Sequence, residues 1–393
     1  MTSDSSDLTE SGVHADSGER ADSGDRVGSG VRADVHGSAD ASDSADSRGP
    51  ADSRGPAVAH SPADPNGPAD FTGLRADLMD CLQVNLAILA DRHHGPGTHL
   101  ALGAELTGES TLDSRLAQAA RLLGLRVVER HDDAALRDRA TGELQYAVAD
   151  AFDLSWVPYA GHQHMDHSFL FRDGGDACEV VDGYHNGTPW GDARPGVWRV
   201  PWDELPRATV VELAFGELPA PQAIAPFVST VDVSAMCADV ERMVLDIWLL
   251  ARSRGLHAAW LDSATFEEHA REWNALAAHS YVAMRRVLRG GVLVPSVPGE
   301  LARLLKRDEE LTHVRSVVSA EASEVLVNRV HSGRTPLREL PGFSSFRLVD
   351  VIERVEARLG VEIEAEALTP DSLRDLDSLC GLFAGAAVVG STR

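Results

Sequence analysis

The feature that most limits what this chain can fold into is an abrupt change in side-chain chemistry near residue 70. Residues 1 to 68 are mostly Ser, Asp, Gly and Ala, with Ala-Asp-Ser units at Ala15-Asp16-Ser17, Ala21-Asp22-Ser23 and Ala51-Asp52-Ser53. Such a segment offers too little apolar surface to offset the entropy of ordering, so a disordered acidic tail is expected there. From Phe71 onward apolar residues return at regular spacing, and the folded part of the chain must begin there.

The formal charge of −25 and a pI near 4.9 argue against a nucleic-acid-binding surface, and no basic stripe interrupts the acidic composition. The four cysteines, Cys81, Cys178, Cys237 and Cys380, are widely spread and form no CxxC pair, which suggests neither a disulfide framework nor a zinc ribbon. No apolar run approaches a membrane span, and the N-terminus has no basic and then hydrophobic signal segment. A reduced cytoplasm is the expected compartment.

The first ordered segment is Asp80-Cys81-Leu82-Gln83-Val84-Asn85-Leu86-Ala87-Ile88-Leu89-Ala90. Leu82, Leu86 and Leu89 recur at helical spacing, so an amphipathic helix is predicted, ending at the breaker cluster His93-His94-Gly95-Pro96-Gly97. Cys81 then sits in the first turn, where free N–H groups and the helix dipole favour negative charge. An isolated cysteine is as a rule a small core residue; the residues that follow change that reading.

A second helix is predicted from Thr111 to Leu123, closed by Gly124, and then a short strand over Leu125-Arg126-Val127-Val128. His167 opens a strand that turns at Asp173-Gly174-Gly175 and returns over Ala177 to Asp182, with Cys178 on the packed face as a structural residue. After residue 229 the periodicity is helical. One stripe runs through Val240, Met243, Val244, Ile247, Trp248 and Ala251, and another through Trp260, Phe266, His269, Trp273 and Leu276. Aromatic stripes of this kind are core, and His257, His269 and His279 are expected as core or helix-surface residues. The last segment reads as a helical bundle. A helix covers Val314 to Val330, an amphipathic one runs through Leu348 to Leu359, and a final helix opens at Thr369-Pro370-Asp371.

Cys81, His167 and Asp182 supply a nucleophile, a base and an orienter, in the order helix start, strand start, next strand. His167 would take the thiol proton, and Asp182 would fix the imidazole tautomer and stabilise its charged form. With Asp80-Cys81-Leu82-Gln83, His167-Ser168-Phe169-Leu170-Phe171 and Val180-Val181-Asp182-Gly183-Tyr184-His185-Asn186, the stretch from Phe71 to Leu218 resembles the papain-like cysteine domain of the BtrH-type butirosin-biosynthesis acyltransferases. It resembles papain-like bacterial cysteine peptidases more distantly. The resemblance implies a transferase that moves an acyl group from a carrier-protein thioester, through the cysteine, to an amine. The peptidases carry a glutamine ahead of the cysteine as oxyanion donor. Arg75, Ala76 and Asp77 stand in that region, so the resemblance assigns no such donor here.

Leu340-Pro341-Gly342-Phe343-Ser344-Ser345-Phe346, followed by Val349-Asp350-Val351-Ile352-Glu353, resembles the attachment region of acyl or peptidyl carrier proteins. That likeness implies phosphopantetheine on Ser345, although Ser344 replaces the family's aspartate and Phe346 its leucine. Literal Asp-Ser-Leu triplets at Asp371-Ser372-Leu373 and Asp377-Ser378-Leu379 have too little chain after them to serve. A rival string, His162-Gln163-His164-Met165-Asp166-His167, resembles the zinc-binding motif of metallo-β-lactamase-fold hydrolases. It implies a zinc hydrolase with His162, His164, Asp166 and His167 as ligands.

The expected fold class is α+β. It comprises the tail over 1–68, a papain-like domain over 69–220, an all-α segment over 221–305 and a four-helix carrier-protein-like bundle over 306–388. The expected partners are an acyl-carrier thioester, a small-molecule acceptor, and a biosynthetic synthase or phosphopantetheinyl transferase, with no nucleic acid and no membrane. A non-catalytic carrier or docking protein of a biosynthetic pathway is the non-enzymatic alternative.

Overall fold

The computed structural model describes residues 70–220, 226–326, 333–340 and 342–390; the expected acidic tail, Val330 and Pro341 lie outside them. The first helix, α1 (Cys81–His94), begins where the sequence places it. Asp80 caps it by accepting from the Leu82 and Gln83 backbone N–H groups, and the Gln83 side chain returns to the Asp80 N–H. This reciprocal cap fixes the start of the helix to the residue. The helix is not amphipathic as expected, because every residue from Cys81 to Ala90 is buried. A helix enclosed on all sides is a central element, not a surface one.

The second helix, α2 (Leu112–Leu123), is capped by Thr111 and ends at Gly124 with φ +67°. The strand β1 (Leu125–Ala134) is longer than the four residues expected, because it pairs along β8 (Ala208–Phe215) from Leu125 opposite Phe215 to Ala134 opposite Ala208. A short helix α3 (Leu136–Arg139) leads to β2 (Gln145–Asp150). The expected hairpin is present as β3 (Asp166–Asp173) and β4 (Ala177–Asp182), with Cys178 fully buried. A small ribbon, β5 (Asn186–Thr188) and β6 (Gly191–Ala193), precedes β7 (Gly196–Pro201). The main sheet is antiparallel throughout, in the order β1-β8-β2-β3-β4-β7, and α1 packs on β3 near its middle.

The second half is helical: α4 (Val233–Met236), α5 (Val240–Leu261), α6 (Ala264–Val287) and α7 (Ser296–Leu326). The predicted apolar stripes form its core, with Met243, Ile247 and Trp273 fully buried. Asp308 ties three helices together. It accepts two bonds from Arg254 (3.0 and 2.6 Å), one from Trp273 Nε1 (3.2 Å) and pairs with His269 Nε2 at 2.7 Å. The boundary expected at residues 305/306 falls inside α7.

The C-terminal bundle joins the end of α7 to α8 (Ser345–Leu359) and α9 (Leu376–Gly390), around Val318, Val351, Val355, Leu376 and Phe383. Two expectations are corrected here. A three-residue 3-10 turn, Ala365–Ala367, lies between α8 and α9, so the described bundle is not four full α-helices. The last helix opens at Leu376 and not at Thr369. Thr369 and Ser372 instead close a tight turn, Thr369 Oγ1 accepting from the Ser372 N–H at 3.2 Å, and Asp375 caps α9 by accepting from Ser378 N at 2.8 Å. The Asp377 of the second Asp-Ser-Leu triplet caps α6, accepting from the Ala264 and Thr265 N–H groups.

The helical half is packed tightly on the sheet-bearing half. A Cβ at Gly103 would lie 2.4 Å from the Leu256 carbonyl oxygen and 2.9 Å from the Trp260 Cβ, so α5 approaches this loop closely only because the residue is glycine. His257 reinforces the seam through Nδ1 to the Gly103 carbonyl at 2.6 Å. Gly103→Ala should therefore destabilise the chain by about 1–3 kcal/mol, the usual cost of overpacking. Denaturant unfolding measures this; unchanged stability would mean that α5 docks loosely.

Candidate active site

Three elements converge on Cys81. The thiol lies at the first position of α1 and is 6 % exposed. Its Sγ donates to the Asp166 carbonyl at 3.4 Å, which holds the helix start against the first residue of β3. Ser168 Oγ donates to the Cys81 carbonyl, and Tyr146 on β2 donates to the Leu82 carbonyl at 3.0 Å.

His167, next on β3, is fully buried. Leu170 stands opposite Val181 in the β3–β4 pairing, so the end of β4 runs back to the start of β3 and carries Asp182 to His167. His167 Nε2 meets Asp182 Oδ2 at 2.7 Å. A carboxylate there fixes the proton on Nε2 and leaves Nδ1 as the basic nitrogen. His167 Nδ1 is buried and has no hydrogen-bond partner among the described residues. Burial alone would lower the basicity of His167. The Asp182 carboxylate, by charge and hydrogen bond, and then the adjacent Cys81 outweigh it and raise its pKa from 6.5 to about 10.

Asp182 is itself buried, and both its oxygens are engaged. Oδ2 also accepts from Trp156 Nε1 at 3.3 Å, and Oδ1 from the Tyr184 N–H at 2.9 Å and Asn85 Nδ2 at 3.4 Å. A buried carboxylate is tolerable when it is satisfied in this way. The Tyr184 ring stands edge-on to His167, with centroids 5.3 Å apart.

Two residues that matter here are absent from the sequence expectations. Asn85, one turn after Cys81, donates to the Ser168 carbonyl at 2.8 Å and accepts from the Gly183 N–H at 3.0 Å. It thus ties α1 to both strands of the hairpin. Asp80 is the other: beyond capping α1, it forms a buried ion pair with Arg115 at 2.6 Å and accepts from Ser110 Oγ at 2.8 Å. The signal for Asn85 is an amide within the otherwise apolar run Val84 to Ala90, since a buried polar group needs designated partners.

The zinc string does not assemble. His162 stacks on Trp190, His164 pairs with Asp150 at 2.6 Å and stacks on Phe152, Asp166 is exposed, and His167 turns to Asp182. Residues 162–165 lie in a turn and an irregular stretch ahead of β3, so no regular backbone brings these side chains to one point. The group of His and carboxylate atoms close enough to share an ion among the described residues is instead Glu129, His131 and Glu212, on β1 and β8.

Ser345 lies elsewhere, exposed at the first position of α8, with Ser344 as the cap accepting from the Arg347 N–H. Phe346 and Val349 beside it are exposed apolar residues. A comparison with protein-family models and one with curated proteins each find no match.

The raised basicity of His167 gives a pH signature. Its folded value lies above the ordinary 6.5, so its charged form stabilises the fold fully below about pH 6.5, and that contribution is lost as pH rises toward 10. Asp182→Asn keeps the shape and removes the charge responsible. Its melting temperature should fall furthest below wild type near pH 6, with the gap narrowing as pH approaches 10; a gap constant over that range would contradict the coupling.

Proposed function

We propose that the chain is a cysteine acyltransferase of specialised metabolism, with Cys81 as nucleophile, His167 as its base and Asp182 as the orienter. The observation that carries this reading is the buried, unpartnered His167 Nδ1 beside a thiol at a helix N-terminus, with Nε2 anchored 2.7 Å from Asp182. A nucleophile, a base and a group that fixes the base are what covalent catalysis requires.

In the proposed reaction the Cys81 proton already resides on His167, as a thiolate–imidazolium pair, and the sulfur attacks the carbonyl of an acyl thioester. Collapse of the adduct expels the donor thiolate, which takes the proton back from His167. The acceptor amine then attacks the acyl group on Cys81; His167 accepts the amine proton and returns it to the departing Cys81 sulfur. The Cys81 N–H supports oxyanion stabilisation in both steps, because the Asp80 cap engages Leu82 and Gln83 and leaves it unclaimed. A thiol only 6 % exposed suits a slender thioester donor better than a peptide bond in a folded protein. It also limits water, which favours transfer over hydrolysis.

The carrier reading of the C-terminal bundle rests on Ser345. An exposed hydroxyl opening a fifteen-residue helix fits a phosphopantetheine attachment. When attached, that group supplies a flexible thiol that raises the local concentration of a thioester. The papain-like assignment of the sheet domain belongs to this proposal too, supported by the order of helix, hairpin and triad.

Intact mass tests both parts. An acyl N-acetylcysteamine thioester should leave one acyl group on the wild type and none on Cys81→Ala, and should label His167→Ala at least about a hundredfold more slowly. Wild-type labelling of both variants would sink the proposal. With a phosphopantetheinyl transferase and coenzyme A, an adduct lost in Ser345→Ala supports the carrier reading, and no adduct removes it.

A further inference from the structure

The thiol site is held from outside the sheet domain as well as from within it. The residues before Cys81 and those after Asp182 are joined by a side chain from the helical half, Arg252 on α5. One guanidinium nitrogen donates to the Ala76 and Met79 carbonyls at 3.1 and 2.5 Å. The other donates to the His185 carbonyl at 2.9 Å and to Asn186 Oδ1 at 3.3 Å. Met79 lies two residues before the nucleophile, and His185 three residues after the orienter.

Three observations make this more than a surface contact. The guanidinium lies over the Trp248 ring, 4.2 Å from its centroid, which fixes the plane of the fork. Among the described residues no carboxylate stands within ion-pair distance of Arg252, so its hydrogen bonds go to carbonyl and amide oxygens of the two segments. The helix that carries it is itself immobilised: a Cβ at Gly255 would lie 2.7 Å from Leu78 Cδ2, and Ser253 Oγ accepts from the Thr107 N–H at 3.1 Å. A planar fork with fixed donors can bridge two strands of backbone that a lysine ammonium, a point donor, cannot span.

We propose that Arg252 is a positioning residue of the thiol site, clamping the approach to Cys81 against the loop beyond Asp182 so that the sulfur stays in register with His167. This rests on the reading of Cys81 and His167 as nucleophile and base. It also gives the helical segment a role: α5 completes a site whose reacting groups all lie on the sheet domain.

The test uses the full chain and reads carboxamidomethylation of Cys81 by iodoacetamide at the level of its peptide, near pH 6 and near pH 9. The ratio of the two rates cancels differences in access and reports how far the thiol is activated by its base. Arg252→Lys and Arg252→Met should each lower the pH 6 to pH 9 ratio by about tenfold, as should His167→Ala, and methylguanidinium should partly restore Arg252→Met. Arg252→Lys carries the test if Arg252→Met does not fold. A wild-type ratio in Arg252→Lys, with a lowered ratio in His167→Ala, would overturn the clamp alone. A wild-type ratio in His167→Ala would overturn the thiol–base reading and the clamp with it. Equal loss of rate at both pH values in the Arg252 variants would reduce Arg252 to a structural residue.

Discussion

The arrangement around Cys81 depends on one buried pair, His167 and Asp182. Placing an imidazole and a carboxylate out of water costs several kcal/mol per charge unless every polar atom finds a partner. The fold meets that demand from four directions: Trp156 and Asn85 side chains, the Tyr184 backbone and His167 itself all reach Asp182. The atom left over is His167 Nδ1, on the side of the thiol. A network satisfied everywhere except at one nitrogen leaves that nitrogen as its open hydrogen-bonding position.

The same junction fixes the architecture. Asn85 hydrogen-bonds to Ser168 and Gly183, and Ser168 bonds back to the Cys81 carbonyl, so the start of α1 cannot slide along the hairpin without breaking several bonds at once. Asp80 adds a second lock by capping α1 while paired with buried Arg115. Removing one partner of such a pair leaves an uncompensated charge, which makes the position of the thiol a property of the whole domain.

Much of this was legible in the residues. The α1 start, the β3–β4 turn at Asp173-Gly174-Gly175 and the proximity of His167 to Asp182 follow from local signals: a cap, a glycine turn and strand alternation. What was not legible depended on tertiary contact. The periodicity of Leu82, Leu86 and Leu89 suggested an amphipathic helix because nothing local shows that the sheet, α2 and the Thr98–Ala104 turn enclose it. The length of β1 is set by its partner β8, some eighty residues away, and the late start of α9 by the turn closed between Thr369 and Ser372 ahead of the Asp375 cap. The His162 to His167 string matched a zinc motif letter by letter, yet its side chains diverge, since spacing constrains direction only once the backbone is known. Arg252 carried no signal at all; a lone arginine in a helix shows its partners only when the fold brings residues 76, 79, 185 and 186 to it.

The coupling of His167 to Asp182 and Cys81 is tested most directly by the charge state of His167. Nitrogen-15 NMR of histidine-labelled protein, with His167 assigned by its absence in His167→Gln, would follow its titration. His167 should be an imidazolium that keeps its proton well above pH 8 and releases it toward pH 10, with Nε2 protonated throughout. Release near the ordinary 6.5 would contradict this, because His167 would then be uncoupled from Asp182 and Cys81.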